Sequence, residues 1–193
     1  MQKTEMSFFR DKRILITGHT GFKGSWLSRI LIDAGAKVTG VSLAPPTSPS
    51  IFSICRLENQ MDSVIGDVRD FELLKEVFER VQPQIVIHLA AQPIVRESYK
   101  NPRETYETNV MGTVNILECA RQFSCVRSFL NVTTDKYMRT KSGSGVTVRR
   151  MCWTDLIHIQ TANPVRSWLH TATSALFLRT VIRQYLLQEQ AML

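Results

Sequence analysis

Lys12-Arg13-Ile14-Leu15-Ile16-Thr17, running directly into Gly18-His19-Thr20-Gly21-Phe22-Lys23-Gly24, decides how this chain is read. A short apolar run ending in a glycine turn is the pattern of a buried parallel strand. Beyond the turn, Trp26, Leu27, Ile30, Leu31 and Ala34 recur at helical spacing, and Gly35 supplies a stop. The three glycines form G-x-x-G-x-x-G between a strand and a helix, the context in which such a loop cradles phosphate. Gly18 permits the tight turn, Gly21 lets backbone N–H groups approach a pyrophosphate, and Gly24 lets the helix pack closely on the sheet. The helix start then favours the phosphate charge. Thr20, Phe22 and Lys23 share the loop and join the glycines as cofactor-binding candidates. Lys23 is equally at home on phosphate or in solvent.

Outward from this loop the pattern alternates. Ala36–Leu43 reads as a second strand, Pro45, Pro46 and Pro49 as a loop, and Ser63–Ile65 as a short third strand. Phe71–Val81 is an amphipathic helix, Gln84–His88 a fourth strand, Thr105–Phe123 a longer helix and Val126–Thr133 a fifth strand. Such alternation implies a parallel sheet covered on both faces, an α/β doubly wound fold of the Rossmann type. The pattern stops after Lys136. Residues 137–170 keep neither period, and only Ala175–Leu187 could form a helix. The expectation is a nucleotide-binding domain over 10–136, truncated after about five strands, and an irregular tail over 137–193.

Composition supports a globular chain. Its 193 residues are 44% hydrophobic and 21% charged, which argues against disorder. Cys55, Cys119, Cys125 and Cys152 are scattered without C-x-x-C pairs or histidines at zinc spacing, so neither a disulfide framework nor a metal site is expected. The first 13 residues lack an apolar core, and no run of about 18 apolar residues occurs, so neither a leader nor a membrane span is expected. The net charge of +7 is concentrated in the tail: residues 1–136 carry 17 basic against 15 acidic groups, and residues 137–193 carry 7 against 2. That distribution argues against nucleic acid as a partner.

The end of the second strand, Val41-Ser42-Leu43, has no carboxylate where a ribose-binding acid usually stands. Spacing therefore leaves NAD and NADP open. Ser42 suits a ribose hydrogen bond or an ordinary loop.

Four further segments follow in order: Gly66-Asp67-Val68-Arg69-Asp70, His88-Leu89-Ala90-Ala91-Gln92, Thr108-Asn109-Val110-Met111-Gly112-Thr113, and Val132-Thr133-Thr134-Asp135-Lys136. They resemble those of the extended short-chain dehydrogenase/reductase family. The set GHTGFKGSWL, AAQPIVRESY, TNVMGT and TTDK is similar, more narrowly, to the CDP-glucose 4,6-dehydratases of deoxysugar and O-antigen (lipopolysaccharide) synthesis. The lysine of TTDK separates these from the dTDP-glucose enzymes, which have glutamate there. The resemblance covers residues 10–136, less than half of the family's usual length.

It implies NAD as cofactor, CDP-glucose as substrate, a cytoplasmic homodimer, and an internal redox dehydration. In that reaction hydride leaves C4 of the hexose, water is lost across C5 and C6, and hydride returns to C6. It also implies adenine contacts at Asp67 and Val68, nicotinamide-ribose contacts at Leu89, Ala90 and Ala91, and further cofactor-binding positions at Asn109, the family's structural helix asparagine, and Thr133 at the active-site strand end. In catalysis Thr134 would hydrogen-bond the sugar at C4, Asp135 would protonate the departing hydroxyl, and Lys136 would take part in removing the C5 proton. Plain structural roles stand beside these: Asp67 as a turn cap, His88 as a packed strand-end residue, Asn109 as a satisfied helix residue, and Asp135 with Lys136 as a surface pair.

The family also requires Tyr-x-x-x-Lys on a helix some twenty residues beyond TTDK, where lysine lowers the tyrosine pKa. Tyr137-Met138-Arg139-Thr140-Lys141 matches literally but leaves the strand end directly, and Gly143 with Gly145 disfavours a helix there. Back-translating the tail with the frame advanced by two bases permits YENKEWVWGYR over residues 137–149 and a segment containing YSNSK around 156–169. Both resemble the family in order. The expectation is a frameshift near codon 137, an out-of-frame tail, and a chain with little or no activity. Alternatives are a non-catalytic dinucleotide-binding module and a related nucleotide-sugar epimerase or reductase. The Thr134-Asp135-Lys136 set argues against the epimerase or reductase.

Overall fold

The structure, a computed structural model, describes residues 6–132 and the backbone of 157–160. The chain divides into two compact units, and the elements through Leu130 belong to the first. Strand β1 (Arg13–Thr17) is buried at every residue after Arg13 and lies at the centre of a sheet. It pairs in parallel with β2 (Lys37–Ser42) on one side and β4 (Ile85–His88) on the other. Outside β2 lies β3 (Asp62–Ile65), also parallel, and outside β4 lies β5 (Ser128–Val132). The order β3-β2-β1-β4-β5 is that of a doubly wound parallel sheet, as the alternation implied. The chain builds outward from β1 to β3 and then returns to the far side of β1. Ligands bind at such a reversal, outside the carboxyl ends of β1 and β4.

Helix α1 (Phe22–Asp33) ends where Gly35, at φ +81°, adopts the left-handed conformation. The Gly35 and Ala36 amides donate back to the Ile32 and Leu31 carbonyls, closing the helix end. A single turn, α2 (Ile51–Ile54), follows the proline loop. Helix α3 (Phe71–Val81) starts at Asp70, whose carboxylate accepts from the Leu73 amide at 3.0 Å. It buries Leu74, Val77 and Phe78 against Leu15, Val41 and Val86 of the sheet.

The expected long helix over Thr105–Phe123 is a composite. Helix α4 (Val95–Lys100), a further element between β4 and that span, is followed by α5 (Pro102–Tyr106), with proline at its first position. A π-helical segment, Glu107–Met111, then leads into α6 (Gly112–Gln122). Ile116, Cys119 and Ala120 of α6 complete the core. In the tail, which showed no periodicity, the backbone of Ile157–Gln160 forms a short strand, β6. Among the described residues no helix is long and apolar enough to cross a membrane, and no cluster of His, Cys, Asp or Glu suits a metal ion.

Candidate functional site

The glycine loop is held from three directions. The Gly18 amide donates to the Val41 carbonyl at 2.9 Å, which ties the turn to β2. Gly18 has φ +78°, and a Cβ there would lie 2.9 Å from the Ala90 amide nitrogen. A side chain at this position is therefore excluded both by conformation and by the backbone beyond β4. A Cβ on Gly24 would run into the Gly18 carbonyl oxygen, so only glycine lets the first turn of α1 close over the loop. Gly21 differs: a Cβ there would meet only the Gly18 oxygen, at 3.4 Å. Its outer side is open.

No side chain caps α1. The first intrahelical donor is the Ser25 amide, to the Gly21 carbonyl at 2.8 Å. The amides of Phe22, Lys23 and Gly24 therefore have no acceptor within the helix. Donors at a helix start, beside a residue whose Cβ space is open, suit the oxygens of a pyrophosphate. The cradle thus fits a dinucleotide. Phe22 and Lys23 project their side chains into solvent.

Two histidines at the sheet's carboxyl edge are buried and neutral. The His19 ring lies edge-on to Phe52, 5.2 Å between centroids, and occupies the space that a Cβ on Gly40 would need. Its Nε2 is 2.7 Å from Ser63 Oγ, while Nδ1 has no hydrogen-bond partner among the described residues. Burial lowers its pKa to about 4, only partly offset by the Val41 backbone. His88 is lowered to about 4 by burial alone.

The hydrogen bonds around His88 fix its proton. Thr113 Oγ1 donates to the Asn109 carbonyl at 2.7 Å, so it can only accept from His88 Nε2, at 3.2 Å. His88 Nδ1 is then the acceptor for the Thr17 hydroxyl at 2.6 Å. Thr17 Oγ1 in turn accepts from the Leu89 and Ala90 amides, each at 3.2 Å. Asn109 closes the set from the π segment: its Oδ1 accepts from the Gln92 amide at 2.7 Å, and its Nδ2 donates to the Gln92 carbonyl at 3.0 Å. A single polarised chain thus sets the backbone path from Leu89 to Gln92. The candidates Leu89, Ala90, Ala91 and Asn109 come together here, and Gly18 touches the same stretch. Thr17 and Thr113 were not singled out from sequence. A hydroxyl ending an otherwise apolar strand was the available sign for Thr17.

Asp67 and Val68 follow β3. Partial burial works to raise the Asp67 pKa, but hydrogen bonds and charge from Arg69 prevail and lower it. The Arg69 guanidinium meets Asp67 Oδ2 at 2.6 Å, and its amide meets Oδ1 at 2.9 Å. Asp67 is therefore a turn-organising carboxylate as well as an adenine candidate. Val68 is buried against Gly112 of α6, and Asn115 Nδ2 donates to its carbonyl at 3.1 Å. Thr133, Thr134, Asp135 and Lys136 lie outside the described residues.

Residues 15–137 match the family model described as GDP-mannose 4,6 dehydratase. The CDP-glucose 4,6-dehydratase of Salmonella typhimurium is 52% identical over 132 residues, 68% of this chain and 37% of that protein. Among solved structures, a UDP-glucose 4-epimerase of Thermus thermophilus in complex with NAD is 30% identical with a TM-score of 0.51, covering 58% of this chain and 35% of that one. A UDP-Glc/GlcNAc 4-epimerase of Campylobacter jejuni is 26% identical with a TM-score of 0.61, covering 68% and 40%. The chain spans well under half the length of each of these three relatives.

Proposed function

Because the chain belongs to the GDP-mannose 4,6 dehydratase family, we infer that residues 10–136 are the NAD-binding part of a nucleotide-sugar 4,6-dehydratase whose substrate is CDP-glucose. The observation that carries this inference is the cradle: amides without helical acceptors, an open face at Gly21, and a position at the reversal point of the sheet. The identity of 52% with a CDP-glucose 4,6-dehydratase favours the cytidine sugar over the guanosine and uridine sugars of other relatives.

When bound, the dinucleotide supplies reversible hydride acceptance. The chain's residues do the remaining work. The amides of Phe22, Lys23 and Gly24 would donate hydrogen bonds to the pyrophosphate oxygens. The Thr17–His88–Thr113 chain and Asn109 hold the 89–92 backbone beside the reacting end. Thr134 orients the C4 oxygen, Asp135 supplies the proton to the leaving hydroxyl, and Lys136 assists removal of the C5 proton. As translated, the sequence places no Tyr-x-x-x-Lys at the family spacing, and loss of such a base costs about 10²–10⁴-fold in rate. The expected behaviour is dinucleotide binding with negligible turnover. Calorimetry with NAD, paired with an assay for the 4-keto-6-deoxy product from CDP-glucose, tests both parts. Absence of NAD binding overturns the site, and ready turnover overturns the account of the tail as an out-of-frame translation. Sequencing the gene across codon 137 checks that account directly.

A non-catalytic dinucleotide-binding module is the second reading, because the cradle and its support lie wholly within residues 17–113. Tyr106, Val110 and Val114 leave an exposed apolar stripe along α5, the π segment and α6, which supports pairing with a second copy.

A further inference from the structure

The carboxyl end of β2 carries a hydroxyl pair where a dinucleotide fold usually presents a carboxylate to the adenosine ribose. Thr20 Oγ1 lies 2.8 Å from Ser42 Oγ and 2.8 Å from the Leu43 carbonyl oxygen. Both residues are buried, with 4% and 9% of their surface exposed, so these are not casual solvent contacts. Thr20 has one hydroxyl proton and the Leu43 carbonyl has none. For both contacts to be hydrogen bonds, Thr20 must donate to Leu43, and Ser42 must donate to Thr20. Ser42 then has no proton left to give. Its remaining lone pairs take no hydrogen bond from any described residue. What it can offer a further partner is an acceptor without charge.

We propose that Ser42 determines which dinucleotide the site takes, accepting a hydrogen bond from the adenosine 2′-hydroxyl and rejecting a 2′-phosphate, through the donor order Ser42 to Thr20 to Leu43. A free hydroxyl on the ribose has a proton to donate. A 2′-phosphate, largely dianionic near neutrality, brings only acceptor oxygens against an acceptor. The selectivity thus comes from proton order where other members of this fold class use a negative charge. This proposal rests on the dinucleotide-binding role of the glycine cradle proposed above.

The experiment is calorimetric titration of the full chain with NAD and with NADP, alongside Ser42→Ala, Thr20→Val and Ser42→Asp. A thermal melt of each variant checks that it folds. The unmodified chain is expected to favour NAD by about tenfold or more. Ser42→Ala is expected to weaken NAD by about threefold to tenfold, the worth of one neutral hydrogen bond, and to leave NADP nearly unchanged. Thr20→Val removes the inner acceptor and frees the Ser42 proton to turn outward. NADP affinity should then rise relative to NAD, a change that mere loosening of the loop would not produce. Ser42→Asp restores a charged acceptor and should widen the preference for NAD. If NAD binds but its ratio to NADP is the same in the unmodified chain and in Ser42→Ala and Thr20→Val, the proton-order proposal is wrong and the cradle stands. If neither dinucleotide binds the unmodified chain, the cradle fails and this proposal falls with it.

Discussion

Thr17 Oγ1 and His88 Nδ1 lie 2.6 Å apart at the ends of two adjacent parallel strands, where the two residues are direct register partners. This places a buried, proton-ordered hydrogen bond at the centre of the sheet's ligand-facing edge. Removing the threonine hydroxyl strands two groups together, His88 Nδ1 and the Ala90 amide, while the Leu89 amide keeps the Thr17 carbonyl at 3.1 Å. Thr17→Val is therefore expected to cost about 2–4 kcal/mol, as buried polar groups lose their partner. Thr17→Ser, which keeps the oxygen, should cost about 1 kcal/mol or less for the lost methyl. Urea unfolding of the two variants distinguishes them. Equal losses would show that packing, not the hydroxyl, matters at this site.

Acid should unfold the chain through its two buried histidines. Both have pKa values lowered from 6.5 to about 4, His19 and His88 alike by burial. The folded state therefore binds fewer protons than the unfolded state between these values. Their contribution is fully present above the unfolded value of 6.5 and is lost as pH falls toward 4. The loss reaches an order of about 3 kcal/mol per histidine at the lower end. The melting temperature should drop clearly between pH 7 and pH 5. A flat profile across that interval would contradict the buried neutral state of both rings.

The glycines at 21 and 24 should respond in opposite ways to the same added methyl. Gly24→Ala drives Cβ into the Gly18 carbonyl and should destabilise the fold by about 3 kcal/mol or more, a severe steric effect. At Gly21 the added carbon meets one oxygen at 3.4 Å, so the fold should lose less than about 1 kcal/mol. Gly21→Ala should nevertheless reduce dinucleotide affinity by about tenfold or more, because its Cβ fills the space that phosphate approaches. Paired melting and calorimetry on both variants provide the check.

Asn109 should be replaceable only by something that both donates and accepts. Its two bonds to Gln92 span 17 residues of sequence. Asn109→Ala is expected to cost about 1–3 kcal/mol and to increase amide exchange at Gln92. Asn109→Asp keeps the acceptor for the Gln92 amide but sets a carboxylate against the Gln92 carbonyl. It should be no better than alanine, and a clear advantage for aspartate would undo the two-bond account.

Much of this architecture was legible in the order of residues. Ile14, Leu15 and Ile16 followed by Gly18 marked a central strand because a strand buried on both faces needs an unbroken apolar run. The spacing of Leu74, Val77 and Phe78 gave α3 its buried face, and the observed bounds match the expected Phe71–Val81. The hydrogen-bond chain was not legible. Thr17, His88, Thr113 and Asn109 are separated by up to 96 positions, and nothing local states that one hydroxyl faces one imidazole. The π segment was hidden for a similar reason. Side-chain periodicity over Thr105–Phe123 looks helical whether or not one turn is widened, and the bonds that Asn109 makes from the widened turn reach a residue 17 positions away. Ser42 was visible as a missing carboxylate, but the direction of its proton required the positions of Thr20 and Leu43.

The widened turn at Glu107–Met111 has a consequence for how this helix tolerates change in length. A π turn accommodates one residue more than a regular turn over the same span. Deleting one residue there would restore ordinary winding while leaving α5 and the core-facing residues Ile116, Cys119 and Ala120 in phase. Such a deletion would disturb what the widened turn holds in place: Asn109, whose side chain grips Gln92 and whose carbonyl accepts from Thr113. Helical phase and the clamp thus meet within five consecutive positions: an edit that keeps the core-facing residues in register would still unfasten the strand-end loop.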